Sequence, residues 1–240
     1  LDVFGRGEAL TLSQISRRSG LPLTTTHRFV AELTALGALE RDEAGLLHIG
    51  LRLWEIAARA PRRVGLREAA LPFLEDLYEA THENVQLAVR DGDDVLYVER
   101  IAGRHAIGVL TRIGLRFPMH ASGVGLVLLA YADREVQERV LAAPLKSFTE
   151  KTIVDHAKLR AVLAEVRHTG FAVSDRQVTM DSLSVAAPIR DAHDSVVAAI
   201  SLVVAAETAH PNALAPAVIA AGRGISRVLS ASGLPVTPPR

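Results

Sequence analysis

Thr24, Thr25, Thr26, His27 and Arg28 form an unbroken run of hydrogen-bonding side chains. Hydroxyls, an imidazole and a fixed guanidinium are the groups that read base edges in the major groove of DNA, arginine above all through its fork on guanine. Arg17 and Arg18 lie shortly upstream, with no acid between them and Arg28. A local cationic patch of this kind suits phosphate contacts. A second constellation lies far downstream, where Ser122 precedes Gly123, Val124 and Gly125. A serine in that place can cap a helix, and small residues behind it leave the first helical amides open to an anion. His120, Ser122 and Asp175 can also be drawn as a hydrolytic triad, but Ser122 lies in no Gly-x-Ser-x-Gly elbow and capping accounts for it without catalysis.

The first constellation needs a helix to present it, and the local sequence supplies one. Thr11 can cap a short helix, with Gln14 at capping-box spacing and Leu12, Ile15 and Ser19 recurring at helical period. Gly20 ends that helix as a left-handed glycine, and Pro22 forbids its continuation. A second helix is expected from Thr24 to Leu36. Phe29, Val30, Leu33 and Leu36 share one side of it, with Thr26 beside them, while Thr24, His27, Arg28 and Ala31 face away. Leu39 to Arg41 and Leu46 to Ile49 then read as two short strands around the turn Asp42-Glu43-Ala44-Gly45. Two helices and a small hairpin make a winged helix-turn-helix, whereas an ordinary helical hairpin would lack the strands. The chain opens on Leu1-Asp2-Val3-Phe4 as though inside a helix, so a truncated first helix is expected.

Composition sets bounds on the rest. The 240 residues are 49% hydrophobic, enough for two compact domains with real cores. Lys+Arg and Asp+Glu are both 27, so any DNA-binding patch must be local. The absence of cysteine removes disulfides, thiol catalysis and zinc-finger chemistry. Gly123-Val124-Gly125 lacks the third glycine of a dinucleotide loop, and no His-x-x-x-His pair occurs, so no cofactor or metal is expected. No apolar run is long enough to span a bilayer and no signal peptide is seen, so a cytoplasmic protein without membrane contact is expected.

Beyond the wing the pattern is helical over residues 51 to 60 and is ended by Pro61, with Leu53, Ile56, Ala57 and Ala60 along one side. A further helical stretch from Arg63 to Ala80 carries Pro72, which is expected to open a fresh helix with Phe73, Leu74, Leu77 and Tyr78 buried. From Asn84 the period changes to that of strands: Val85 to Val89, Val95 to Ile101 and Ile107 to Leu110, then Phe171 to Ser174, Ser184 to Ile189 and Val196 to Val204. Helices are expected over Ser122 to Ala130, Asp133 to Leu141, the stretch around Leu159 to Val166 closed by Gly170, and Pro211 to Ser230. The fold class is therefore α+β.

In order along the chain, these motifs resemble the IclR family of bacterial transcriptional regulators. The first module carries Arg17-Arg18-Ser19-Gly20-Leu21-Pro22 and Thr24-Thr25-Thr26-His27-Arg28. The second carries Pro118-Met119-His120-Ala121-Ser122-Gly123, Gly170-Phe171-Ala172-Val173, Val185-Ala186-Ala187-Pro188-Ile189 and Val197-Ala198-Ala199-Ile200-Ser201. The resemblance implies a winged helix-turn-helix over residues 1–50, a helical linker over 51–65, a GAF-like effector domain with an antiparallel sheet over 66–231, and a disordered tail over 232–240. It implies a regulator, repressor or activator, that binds double-stranded operator DNA and a small organic or aromatic acid. It also implies homodimers that often pair into tetramers, and no enzymatic activity. A hydrolase, or a ligand sensor without DNA binding, is the competing reading.

By family position, Ser174 or Asp175, Ser184 and Ser201 join Ser122, Gly123 and Val124 around the effector. Departures from the family pattern include Ser184 in place of a common cysteine, Leu126 for a common lysine after Gly125, Asp181 for a glycine, Ser174 for an acid and Val203 for a serine. Leu23 replaces a frequent cation, and the wing strand Leu46-Leu47-His48 carries no arginine.

Overall fold

The computed structural model describes residues 1–5, 7–58, 61–103 and 106–232, the side chains of 58 and 61–64 excepted. The chain divides into two compact units, Leu1–Val64 and Gly65–Arg240. The tail expected to be disordered lies outside the described residues beyond Ser232, as does Ala60.

In the first unit the turn chemistry acts as its residue types dictate. Helix α1 (Leu12–Ser19) opens on a reciprocal capping box, Thr11 Oγ1 accepting from Gln14 N and Gln14 Oε1 from Thr11 N at 2.7 Å. It closes at Gly20, whose φ of 71° is left-handed. Helix α2 (Leu23–Ala35) follows Pro22 directly. Strands β1 (Leu39–Arg41) and β2 (Leu47–Ile49) pair antiparallel, and Leu10 bridges to Leu47. Asp42 braces the wing turn, accepting from Leu46 N at 2.8 Å and pairing with His48 at 2.9 Å. Leu10, Ile15, Val30, Leu39 and Leu47 form the small core. Phe29, Leu33 and Leu36 do share a side of α2 with Val30, but they line an open apolar pocket with Val3, Phe4 and Leu21, so Phe29 and Leu36 stay exposed. Helix α3 (Leu51–Ala58) starts where Glu40 Oε1 accepts from Leu51 N, and Leu51, Trp54 and Ile56 on it are exposed.

The second unit is a six-stranded antiparallel sheet with helices on both faces. Helix α4 (Pro61–Thr81) leads into β3 (Asn84–Asp91) and β4 (Asp94–Ile101). Then come β5 (Arg116–Pro118), α5 (Gly123–Ala130), α6 (Arg134–Ala142) and α7 (His156–Thr169). Strands β6 (Ala172–Asp175), β7 (Ser182–Arg190) and β8 (Val196–Ala205) and helix α8 (Pro211–Ser232) complete it. The strand order is β5-β4-β3-β8-β7-β6. Period-two alternation sends Val85, Leu87 and Val89 into a core with Leu74 and Leu77 of α4 and Val218 and Ile225 of α8. The opposite face shows Ala88, Ala186 and Ala199 to α5, small enough for a helix made of Gly123, Val124 and Gly125 to settle closely on the sheet.

Several expected elements differ. Leu1 to Phe4 is a turn, with Phe4 N donating to Leu1 O at 3.2 Å, and not part of a helix. Pro61 opens α4 instead of ending the helical segment before it. Ile107 to Leu110 is not a strand; β5 takes the place beside β4. Side chains hold that segment instead of a ladder: Asn84 Nδ2 donates to Ile107 O at 3.0 Å and Arg100 Nη1 to Thr111 O. Helix α4 runs through Pro72 without restarting. The proline removes the donor to the Glu68 carbonyl, but both residues are exposed and water can serve that oxygen. The short β6 pairs only with Leu183 to Ala186, leaving the end of β7 as an edge. That edge is blunted by Pro188, which has no N–H, and by α8, whose Ser226 Oγ accepts from Arg190 N at 2.9 Å.

Candidate DNA interface and effector pocket

On α2, Thr24, His27 and Arg28 are exposed and Thr25 is half-buried. The Arg28 guanidinium lies over the Phe29 ring at 5.6 Å, which steadies it without occupying its donors. Thr26 differs from expectation. It is 1% exposed, and its hydroxyl donates to Pro22 O at 3.1 Å, so it fixes the turn and offers nothing to a partner. Arg17 is exposed and unpaired among the described residues. Arg18 is not a free cation: its fork holds Glu8 at 2.6 and 2.7 Å, and Nη1 also donates to Val3 O. Hydrogen bonds from Arg18, and then from Gly5 N, lower the Glu8 pKa from 4.5 to about 2. The patch that can meet a phosphate therefore rests on Arg17 and Arg28.

The second site opens where β5 hands over to α5. Ser122 is the N-cap, its Oγ accepting from Gly125 N at 3.2 Å. The amides of Gly123 and Val124 belong to the first helical turn, which has no acceptor within the helix. Both residues line a pocket of about 420 Å³ with Ser122, Ser174, Ser184 and Val203. Gly123 fits because it lacks a side chain: a Cβ there would lie 2.6 Å from Ser184 Oγ. Gly125 is equally constrained, a Cβ meeting Met119 O at 2.2 Å.

Not every expected pocket residue arrives. Ser174 is on the wall, with Oγ donating to Ala121 O at 3.0 Å. Asp175 is the next residue on the strand, so it turns to the other side, exposed, and pairs with Arg176 at 2.9 Å. Ser201 lies between Gln86 and Ala186 in the sheet register, 1% exposed, off the pocket wall and with no partner for its Oγ. Residues not anticipated complete the wall: Gln86, Tyr97, Val109, Leu110, Thr111, Val178, Thr179 and Ser182. Gln86 Nε2 donates to Thr111 Oγ1 at 2.6 Å. Burial pushes the Tyr97 phenol up to about 12, opposed by a hydrogen bond from Ser122, so it stays a neutral hydroxyl. The available signal for Gln86 was a polar residue inside an otherwise apolar strand.

Among the described residues no lysine or arginine lines this pocket, so an anion there would meet amides and hydroxyls. The drawn triad is not assembled. His120 is buried with Nε2 on Lys146 O at 2.9 Å, and burial lowers its pKa. Among the described residues no group of His, Cys, Asp and Glu could hold a metal ion, and no helix is long and apolar enough to cross a membrane.

Comparison with known proteins gives the family of the chain. The IclR helix-turn-helix model matches residues 1–43 and the IclR C-terminal model matches residues 58–227. The chain belongs to the IclR family. The HTH-type transcriptional regulator KipR of Bacillus subtilis is 32% identical over 203 residues, 84% of this chain and 81% of that protein. BhcR of Paracoccus denitrificans is 33% identical over 231 residues, covering 94% and 83%. An IclR homolog from Microbacterium hydrocarbonoxydans, solved in complex with 4-hydroxybenzoate, superimposes with a TM-score of 0.90 at 36% identity over 95% of each chain. The protein is thus a DNA-binding transcriptional regulator, with α1 and α2 as its helix-turn-helix and the six-stranded unit as its effector domain.

Proposed function

We propose that a small organic acid, most simply a single-ring aromatic acid, binds at the N-terminus of α5 and sets the regulator's occupancy of its operator. The observation that carries this is the close seat of Gly123 on Ser184, which leaves the first amides of α5 uncovered in a pocket that has hydroxyls and, among the described residues, no cation. The 4-hydroxybenzoate complex of the Microbacterium homolog supports the same ligand class. The carboxylate meets the amides of Gly123 and Val124 and the Ser184 hydroxyl, while Val109, Leu110, Val178 and Val203 supply apolar walls. On the DNA side, Thr24, Thr25, His27 and Arg28 read bases and Arg17 meets phosphate. The regulator acts in the cytoplasm as a homodimer, two of which can pair into a tetramer, and it carries out no catalysis.

Calorimetry with a panel of aromatic acids, joined to operator binding with and without the tightest of them, tests the reading. A hit that binds with one site per chain and shifts operator affinity is expected. A hit that binds equally well to Gly123→Val would place the site elsewhere.

A further inference from the structure

Across the fold from α5, helix α8 carries Arg223 and Arg227 and no acidic residue anywhere along its length. At i, i+4 spacing the two guanidinium groups share one face. Neither has a hydrogen bond or ion-pair partner among the described residues. Elsewhere in the unit Arg67, Arg116, Arg139, Arg160 and Arg176 each hold a carboxylate. Both line a depression of about 880 Å³ together with Arg190, Ser226 and the end of α7 at Thr169 and Gly170.

Arg190 is already positioned. Its guanidinium stacks on the Tyr131 ring at 4.8 Å, and its Nη1 donates to Asp194 O at 2.7 Å and pairs with the Asp194 carboxylate at 3.4 Å, which leaves other donors of the fork open. Asp133 and Asp194 line the adjacent depression, which shares Tyr131 and Arg190 with this one, but no acid lines the depression itself. Three cations therefore line one hollow, Arg223 and Arg227 with no carboxylate partner among the described residues and Arg190 with its Asp194 partner outside the hollow. None of these residues belongs to the effector pocket.

We propose that this depression is a second ligand site, for a small molecule carrying a diphosphate. A single carboxylate saturates one guanidinium fork. A diphosphate offers enough oxygens and charge to engage three, and planar forks suit phosphate oxygens.

The test uses inorganic pyrophosphate as the probe and the full chain as the receptor. Calorimetry should show binding that weakens steeply with added salt. Arg223→Gln/Arg227→Gln should lower that affinity at least about tenfold, while Arg134→Gln/Lys158→Gln, which removes the same charge elsewhere, should not. Thermal melting of both double variants confirms that they fold. Binding should survive saturation of the effector pocket with the aromatic acid. Equal losses in the two double variants would reduce the effect to general electrostatics and overturn the proposal. So would no measurable binding, tighter binding of citrate than of pyrophosphate, or a preference for poly-glutamate, which would mark an acidic protein as the partner.

Discussion

Gly123 and Ser184 sit so close that a Cβ on the glycine would lie 2.6 Å from the serine Oγ and 3.2 Å from its Cβ. The contact ties the first turn of α5 to the start of β7, and both residues line the proposed effector pocket. Gly123→Ala must therefore displace Ser184 or lift the helix. Overpacking of this kind costs about 1–3 kcal/mol. Gly123→Ala/Ser184→Ala should recover much of that loss in denaturant titrations, because the hydroxyl is the nearest obstacle. Effector affinity should not recover with it. Ser184→Ala alone should weaken acid binding about tenfold or more, given about 1.5–3 kcal/mol for a hydrogen bond to a charged group. Independent, additive effects of the two substitutions on stability would remove the steric explanation.

Arg28→Ala should cost about 1–3 kcal/mol in operator affinity and relax base preference, as expected for a fork on a base edge. Thr26→Val should behave oppositely. The Thr26 hydroxyl is spent on Pro22 O, so the substitution should lower stability and leave the affinity of the folded fraction unchanged. Fluorescence anisotropy with operator and random duplexes separates the two effects. Equal loss on both duplexes for Arg28→Ala would make it a phosphate contact only.

The ion pair of Glu8 and Arg18 gives the first unit a pH dependence with a fixed sign. The folded-state pKa of Glu8 is lowered to about 2 from an ordinary 4.5. Its contribution is therefore fully present above pH 4.5 and is lost as pH falls toward 2. Glu8→Gln should flatten the acid limb of the unfolding curve in that window and change little at neutral pH, since the pair is exposed and screened. An unchanged acid limb would show that the pair does not persist in solution.

Local chemistry was legible from the sequence, and long-range pairing was not. The capping box of Thr11 and Gln14, the left-handed Gly20 and the Ser122 cap each depend on a few adjacent residues, and each is where the residue types place it. Ile107 to Leu110 has strand composition, but Asn84 and Arg100, distant in sequence, take the carbonyls of Ile107 and Thr111. Asp175 and Ser174 differ by one position on a strand, and that step decides which face each meets. Gln86 joins the pocket only because β3 lies beside β8 in the sheet, an adjacency that no local pattern encodes.

The hydrogen bond from Gln86 Nε2 to Thr111 Oγ1 pins the loop that carries Val109 and Leu110 over the pocket. Thr111→Val keeps the shape but leaves a buried amide hydrogen unpaired, at about 1–3 kcal/mol. Stability should fall by that order, and the effector should dissociate faster, because the wall above it is no longer held. Stopped-flow displacement measures the rate. Destabilisation with an unchanged dissociation rate would confine the bond to a structural role.

Trp54 is the chain's one tryptophan and is 68% exposed, beside exposed Leu51 and Ile56 on α3. So large a run of exposed apolar side chains on a short helix is costly in water, and association is the ordinary remedy. If the homodimer covers this helix, Trp54 emission should shift to the blue as protein concentration rises, in step with the mass seen by sedimentation. Trp54→Ser should weaken the dimer and, with it, binding to a palindromic operator, because two half-sites then no longer bind as a unit. Affinity for a single half-site should stay near that of the parent. A dimer that forms while Trp54 emission stays at the wavelength of an exposed indole would locate the interface on another surface.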